Sequence, residues 1–242
     1  PDTLDPALTY APPGWSIVHS VYDSLLQFDN EGNVELLLAE HWEWTSPTAI
    51  AVKLRPDIVF HNGEPLPSKA VQFSLAHITA EDTASQARQN FMVIESFDEI
   101  DDLSFTLGLS QPAPWLPAQI AAWLAILPPV YAASSDFARN PIGTGPYTFD
   151  EWSPGEKISL SVNDAYFAGS PKGVPIADAV TYRFVADATT RVADLLSGGA
   201  VSNFSVLAAG VYPYVTAQIV LQLLLPIFPK LEQRIQEEGD QG

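Results

Sequence analysis

Four histidines, His19, His41, His61 and His77, are the residues here best suited to ligate a metal or move a proton near neutral pH. No two of them stand at helical or strand spacing, so no chelating pair can be read. His61 adjoins Asn62-Gly63, a tight-turn signal because both residues tolerate positive φ, and a hydrogen-bonded or solvent-facing role is expected for it. Asp98, Glu99, Asp101 and Asp102 could attract calcium, but they lack the glycine and terminal glutamate of a calcium loop. A solvated turn before a strand at Ser104 is the expected reading. Gly143-Thr144-Gly145 would cradle a phosphate only with a lysine and a helix start behind it. Pro146-Tyr147 stands there instead. No metalloprotease histidine pair, serine elbow or nucleotide-binding lysine loop is present, and the carboxylates show no pairing for acid–base work. Cysteine is absent, which removes disulfides and thiolate chemistry. The residues therefore point away from an enzyme and name no cofactor and no metal.

The elements that must position these residues follow from composition and pattern. The 242 residues are 47% hydrophobic and 17% charged, enough for a sizeable core. A formal charge of −18 with 11 Lys and Arg argues against nucleic acid, since phosphate binding needs basic side chains. Residue 1 is Pro, the one Met is Met92, and no basic-then-apolar segment opens the chain, so a mature or truncated product is expected. Thr48–Arg55 alternates apolar and polar residues as a half-buried strand does. Ser68 is expected to cap a helix that puts Val71, Leu75 and Ile78 on one face. Strands are expected at Ser104–Leu109, Tyr147–Glu151, Lys157–Val162 and Val180–Phe184. Helical segments are expected around Leu116–Leu127 and from Ala188 to Leu196, the latter with Val192 and Leu196 on one side. Gly143, Gly145 and Pro146 are expected to shape a turn into a strand through positive φ at the glycines. Trp42, Trp44 and Trp152 read as packing residues more readily than as ligand platforms.

Charge is spread through residues 1–194 and then stops: Leu195 to Pro229 holds no Asp, Glu, Lys or Arg. A boundary is expected near Ser197-Gly198-Gly199.

Before that boundary, spaced motifs carry a family resemblance. They are LDPAL at 4–8, VYDSLLQFD at 21–29, LLAEHWEW at 37–44, LRPDIVFHNGEPLPSKAVQFSL at 54–75, PIGTGPYTFDEW at 141–152 and NDAYF at 163–167. In this order they resemble the peptide/nickel class, family five, of extracytoplasmic solute-binding proteins. Ala70 departs from the pattern, which usually carries Asp there. The resemblance implies an α/β fold: an incomplete lobe of a periplasmic-binding-protein-like, type II peptide-binding fold. Lobe one would take residues 1–30 and 145–196, with an inserted α+β subdomain at 31–144. The second lobe would be expected after Leu196. It further implies capture of a short peptide or similar small solute outside the cytoplasm, in the periplasm or its equivalent, and delivery to an ABC permease. Tyr22 and Trp152 are the candidate ligand-facing residues; Tyr22 and the Leu4-Asp5-Pro6 segment fall in the part of lobe one that could face the cleft, and a structural role fits them equally well.

After the boundary, residues 198–242 resemble the plug and second transmembrane helix of the SecY protein-translocation channel, through GGAVSNFSV, GVYPYVTAQI and QLLLP. The resemblance implies a plug-like Gly198–Ser205 and places Val215 and Ile219 at channel-lining positions. Val206 to Leu225 is 20 residues with Thr216, Gln218 and Gln222 as its polar members beyond Gly and Tyr, so a helix of about 30 Å would span a bilayer. Hydropathy alone fits a buried globular helix equally well. Residues 197–242 are thus expected to form a C-terminal apolar helix, with possible membrane contact through 206–225, joined as a chimera to the soluble part. The alternative function is a fragment of a protein-translocation channel.

Overall fold

The computed structural model describes residues 2–200 except 11, 135 and 176. These fall into two units, Pro1–Phe184 and Val185–Gly242. Residues 201–242, including the expected apolar helix at 206–225 with Val215 and Ile219, lie outside the described residues. Among the described residues no helix is long and apolar enough to cross a membrane.

The first unit is built on two cores. Strands β3 (Ala39–Ser46) and β4 (Ala49–Leu54), then β5 (Ile94–Glu99) and β6 (Ser104–Leu109), form an antiparallel sheet in the order β3-β4-β6-β5. Period-two alternation turns Ile50, Val52 and Leu54 of β4 and Phe105, Leu107 and Leu109 of β6 inward. Helix α2 (Ser68–Thr79) buries Ala70, Val71, Ser74, Leu75 and Ile78 into the same core, the face its spacing indicates. Short strands β1 (Leu26–Phe28) and β2 (Val34–Leu36), helix α3 (Arg88–Phe91) and helix α4 (Leu116–Trp123) close this part.

The second core lies under a sheet of β7 (Tyr147–Ser153), β8 (Lys157–Val162) and β9 (Ala179–Arg183), antiparallel in the order β7-β8-β9. Ile158 and Leu160 of β8 meet Ile17, Val18 and Val21 of α1 (Pro12–Val21), with Leu4, Tyr22 and Leu127. Helix α5 (Pro129–Ser134) contributes Ala132.

Several local expectations hold. Gly63 has φ +83, and Phe60 and Glu64 pair across the turn through Phe60 N–H to Glu64 O at 2.8 Å. The acidic run is only half a turn: Asp98 and Glu99 end strand β5, and Asp101 and Asp102 form the β5–β6 hairpin turn, where the Asp101 carboxylate accepts the Leu103 amide at 2.8 Å. In the second unit, α6 (Ala188–Leu196) is capped by Asp187, which accepts the Thr190 amide, and Gly198 at φ +76 ends it.

Other expectations are corrected. Ser68 does not cap α2: it is the first helical residue, fully buried. Its hydroxyl donates to Asp101 O at 3.1 Å because the hairpin turn lies against the helix start. Neither Gly143 nor Gly145 is among the described positive-φ glycines. Their lack of a side chain serves close packing instead. A Cβ on Gly145 would sit 2.6 Å from the Val21 carbonyl carbon, and one on Gly143 would strike the Val21 carbonyl oxygen. Gly145 N–H donates to that oxygen at 2.9 Å. Helix α4 stops at Trp123, short of Leu127, and Trp44 on the outer strand β3 is exposed, whereas Trp42 is half-buried against the first core.

Candidate functional site

The outward side of α1 gathers chemistry that its spacing alone only hints at. Ile17, Val18 and Val21 take the helix's buried face. Trp15 and His19, four residues apart, therefore share another face, and their rings lie 3.9 Å apart. Trp15 Nε1 donates to Ala122 O at 3.2 Å, and His19 Nε2 faces the same oxygen at 3.3 Å. A carbonyl only accepts, so His19 Nε2 carries a proton. Burial, reinforced by the nearby Lys172 ammonium, lowers the His19 pKa to about 3, so the ring is neutral.

Beside this pair, Tyr10 and Trp123 pack with ring centroids 5.4 Å apart. The Tyr10 hydroxyl donates to Ala7 O at 2.5 Å and accepts the Ala87 amide at 3.1 Å, with Ser85 Oγ 2.5 Å away. A small pocket between the two ring pairs is lined by Pro6, Thr9, Trp15, His19, Ala122 and Trp123, among others. The result is a half-buried wall of aromatic rings from the Tyr10 segment, α1 and α4.

The β8–β9 connection straps the far end of this wall. Lys172 Nζ reaches Asp23 Oδ1 at 2.5 Å and donates to His19 O at 3.0 Å. The Asp23 side chain is fully buried and Lys172 is 20% exposed. Tyr166 and Ser170 of the strap share a hydrogen bond of 2.9 Å, and burial beside Asp23 pushes the Tyr166 hydroxyl pKa up. Asn163 Nδ2 donates to Gly145 O at 2.9 Å, and Arg55 lies 5.7 Å from the Phe167 ring centre.

His61 locks the glycine turn under this region. Its Nε2 donates to Gly145 O at 3.0 Å, and its Nδ1 accepts the Gly143 amide at 3.3 Å. Burial lowers its pKa, and only the neutral ring can serve both bonds. His41 lies on the surface, 3.2 Å from Glu43. His77 faces Asp5 at 3.0 Å on the C-terminal turn of α2. No group of three or more His, Asp or Glu able to hold a metal ion occurs among the described residues.

Tyr22 and Trp152 both belong to the second core. Tyr22 is 1% exposed beneath Gly143, and burial raises its hydroxyl pKa. Trp152 is half-buried, with the Arg139 guanidinium 5.0 Å from its ring centre. Sequence reasoning singled out His19 but missed its pairing with Trp15, and it missed Tyr10, Trp123 and the Lys172–Asp23 pair. The Trp-x-x-x-His spacing behind Pro12-Pro13 was the one available signal for a short helix with a ring-bearing face.

This architecture is that of periplasmic binding proteins. The PBP AgaA of A. tumefaciens R10, solved in complex with agropinic acid, matches 82% of this chain and 40% of its own, with TM-score 0.76 and 28% identity. Oligopeptide-binding protein AppA of Bacillus subtilis is 30% identical over 195 residues, which cover 75% of this chain and 35% of AppA. Its structure in complex with a nonapeptide gives TM-score 0.73 at 27% identity, over 82% of this chain and 41% of that one. Glutathione-binding protein GsiB of Pectobacterium atrosepticum is 27% identical over 189 residues, 76% of this chain and 36% of GsiB. Bacterial extracellular solute-binding proteins, family 5 Middle, match residues 33–219. The chain belongs to that family. It spans about a third of the length of the curated relatives AppA and GsiB. The family match crosses the boundary expected near Ser197 and lends no support to a change of ancestry there, to a SecY-like tail or to a translocation role.

Proposed function

We propose that this chain is part of the substrate-binding component of an ABC importer, capturing short peptides or a similar small solute outside the cytoplasm. Its likeness to AppA in complex with a nonapeptide carries this reading. Lobe one is taken as residues 1–30 and 145–196 with an inserted subdomain at 31–144, a division that the two separate cores favour as far as residue 184. One core draws mainly on residues 25–126, and the other on Leu4, α1 and residues 127–160. The wall of Tyr10, Trp15, His19 and Trp123 is the ligand-receiving surface, with Tyr22 and Trp152 supporting it from the core. In this reading a second lobe closes over the ligand by a hinge motion, and the closed form is what an ABC permease recognises. Ordered aromatic rings give apolar contact at small entropic cost, which suits ligands with varied side chains.

The test is a titration of the chain with mixed di- to pentapeptides, following the indole N–H resonances of Trp15 and Trp123. Saturable shifts at these two indoles are expected. Unchanged wall resonances at peptide saturation would contradict the reading.

A further inference from the structure

Resting on the solute-capture reading, we infer that the aromatic wall takes an uncharged, interior stretch of peptide backbone. Trp123 Nε1 serves as the donor and His19 Nδ1 as the acceptor for the ligand's amide groups.

Most polar atoms of the wall are already committed within the fold. Trp15 Nε1 and His19 Nε2 both donate to Ala122 O, at 3.2 and 3.3 Å. The Tyr10 hydroxyl is engaged by Ala7 O, the Ala87 amide and Ser85 Oγ. Two ring nitrogens are left over. His19 Nδ1 and Trp123 Nε1 have no hydrogen-bond partner among the described residues, and both side chains are half-buried. Neither belongs with the sealed, unpaired nitrogens of Trp42 and Trp152, so both are open at the surface of the wall.

The role of each nitrogen is fixed by its chemistry. An indole N–H can only donate. Because His19 Nε2 carries the ring's proton, Nδ1 presents a lone pair and accepts. With the pKa lowered to about 3, it remains an acceptor at neutral and mildly acid pH. One donor and one acceptor among aromatic rings complement an amide, which carries an N–H and a C=O of its own.

The surroundings disfavour the charged ends of a peptide. None of the described residues lining the pocket between the ring pairs is Asp, Glu, Lys or Arg. A ligand carboxylate has no proton to give Nδ1. A ligand ammonium has protons, but no lining carboxylate balances its charge, and desolvating it unpaired is costly. The Lys172 ammonium, close enough to help depress the His19 pKa, repels it further.

The probe is alanyl-leucyl-alanine in two forms, one N-acetylated and closed as its N-methylamide, the other with free ends. Each is titrated into the whole chain while the ring nitrogens are followed by NMR. The blocked form is expected to bind more tightly. It should shift the Trp123 indole more than that of Trp15, whose N–H is already bonded, and move His19 Nδ1 towards its hydrogen-bonded position. His19→Phe keeps a ring beside Trp15 and should weaken the blocked form about fivefold, the loss of one neutral hydrogen bond. His19→Gln restores an acceptor and should recover most of that loss. If His19→Phe fails to fold, the Nδ1 shift in the wild type decides. If neither form moves either indole, the wall is not the receiving surface, and the amide assignment falls with that reading. If the indoles move but the free-ended form binds equally well, Nδ1 stays unshifted at saturation, or folded His19→Phe binds as wild type does, the wall stands and the amide assignment alone is overturned.

Discussion

Asp5 with His77 and Asp23 with Lys172 each set one buried carboxylate against one nitrogen, yet they do different work. Asp23 is sealed at 0% side-chain exposure, and its lysine comes from a strap that also ties the His19 carbonyl. Asp5 is 7% exposed, and its histidine borders an open groove. The sealed pair is a brace: removing either partner strands a charge in a medium that solvates it poorly. The other pair borders an open groove. Burial of the carboxylate does not separate the two cases; what lies next to the pair does.

The contrast is broken most directly at the brace. Lys172→Met leaves the buried Asp23 carboxyl without its cation, and urea unfolding should show a loss of about 3–5 kcal/mol. The double change Asp23→Leu with Lys172→Met should recover most of it, because an apolar pair needs no solvation. Equal instability of the single and double variants would remove the brace from the account.

Acid tests the same region through His19. Its folded pKa of about 3 lies below the unfolded value of 6.5, so the unfolded chain binds the proton first as pH falls. Its contribution to stability is fully present above pH 6.5 and is lost as pH drops towards about 3, at no more than about 1.4 kcal/mol per pH unit. His19→Gln should flatten the wild-type pH profile of the urea midpoint over that window. Superimposable profiles would mean that His19 is solvated.

Gly143→Ala presses a methyl group into the Val21 carbonyl and should cost about 1–3 kcal/mol by urea unfolding. Smallest of all, Asp82→Asn at an exposed side chain on the groove rim should leave stability within about 0.5 kcal/mol. A larger change would make the groove a structural joint like the brace.

Where the sequence was legible, the physics was local. Alternation at Ile50, Val52 and Leu54, the Asn62-Gly63 turn and the Ala188–Leu196 helix are decided by neighbouring residues, and each appears in the structure. Spaced motifs from LDPAL to NDAYF, taken together, were enough for the family. The site was hidden because its bonds are long-range. Lys172 finds Asp23 across 149 positions, and Trp15 finds Ala122 across 107. No periodicity reports such pairs. The glycine turn was legible as a turn but not in its cause, since the Val21 backbone that requires Gly143 and Gly145 is distant in sequence. Tyr22 stood out as an aromatic in a motif, but its place in the core depends on packing against α1 and β8.

Photocrosslinking with a tripeptide carrying benzoylphenylalanine tests the central claim most directly, with adducts mapped by mass spectrometry after proteolysis. Adducts are expected on Tyr10, Trp15, His19 and the Ala122–Trp123 end of α4, and they should be competed away by unlabelled peptide. Competable adducts on the β3-β4-β6-β5 sheet with none on those residues would contradict the assignment of the α1 wall as the surface that receives the solute.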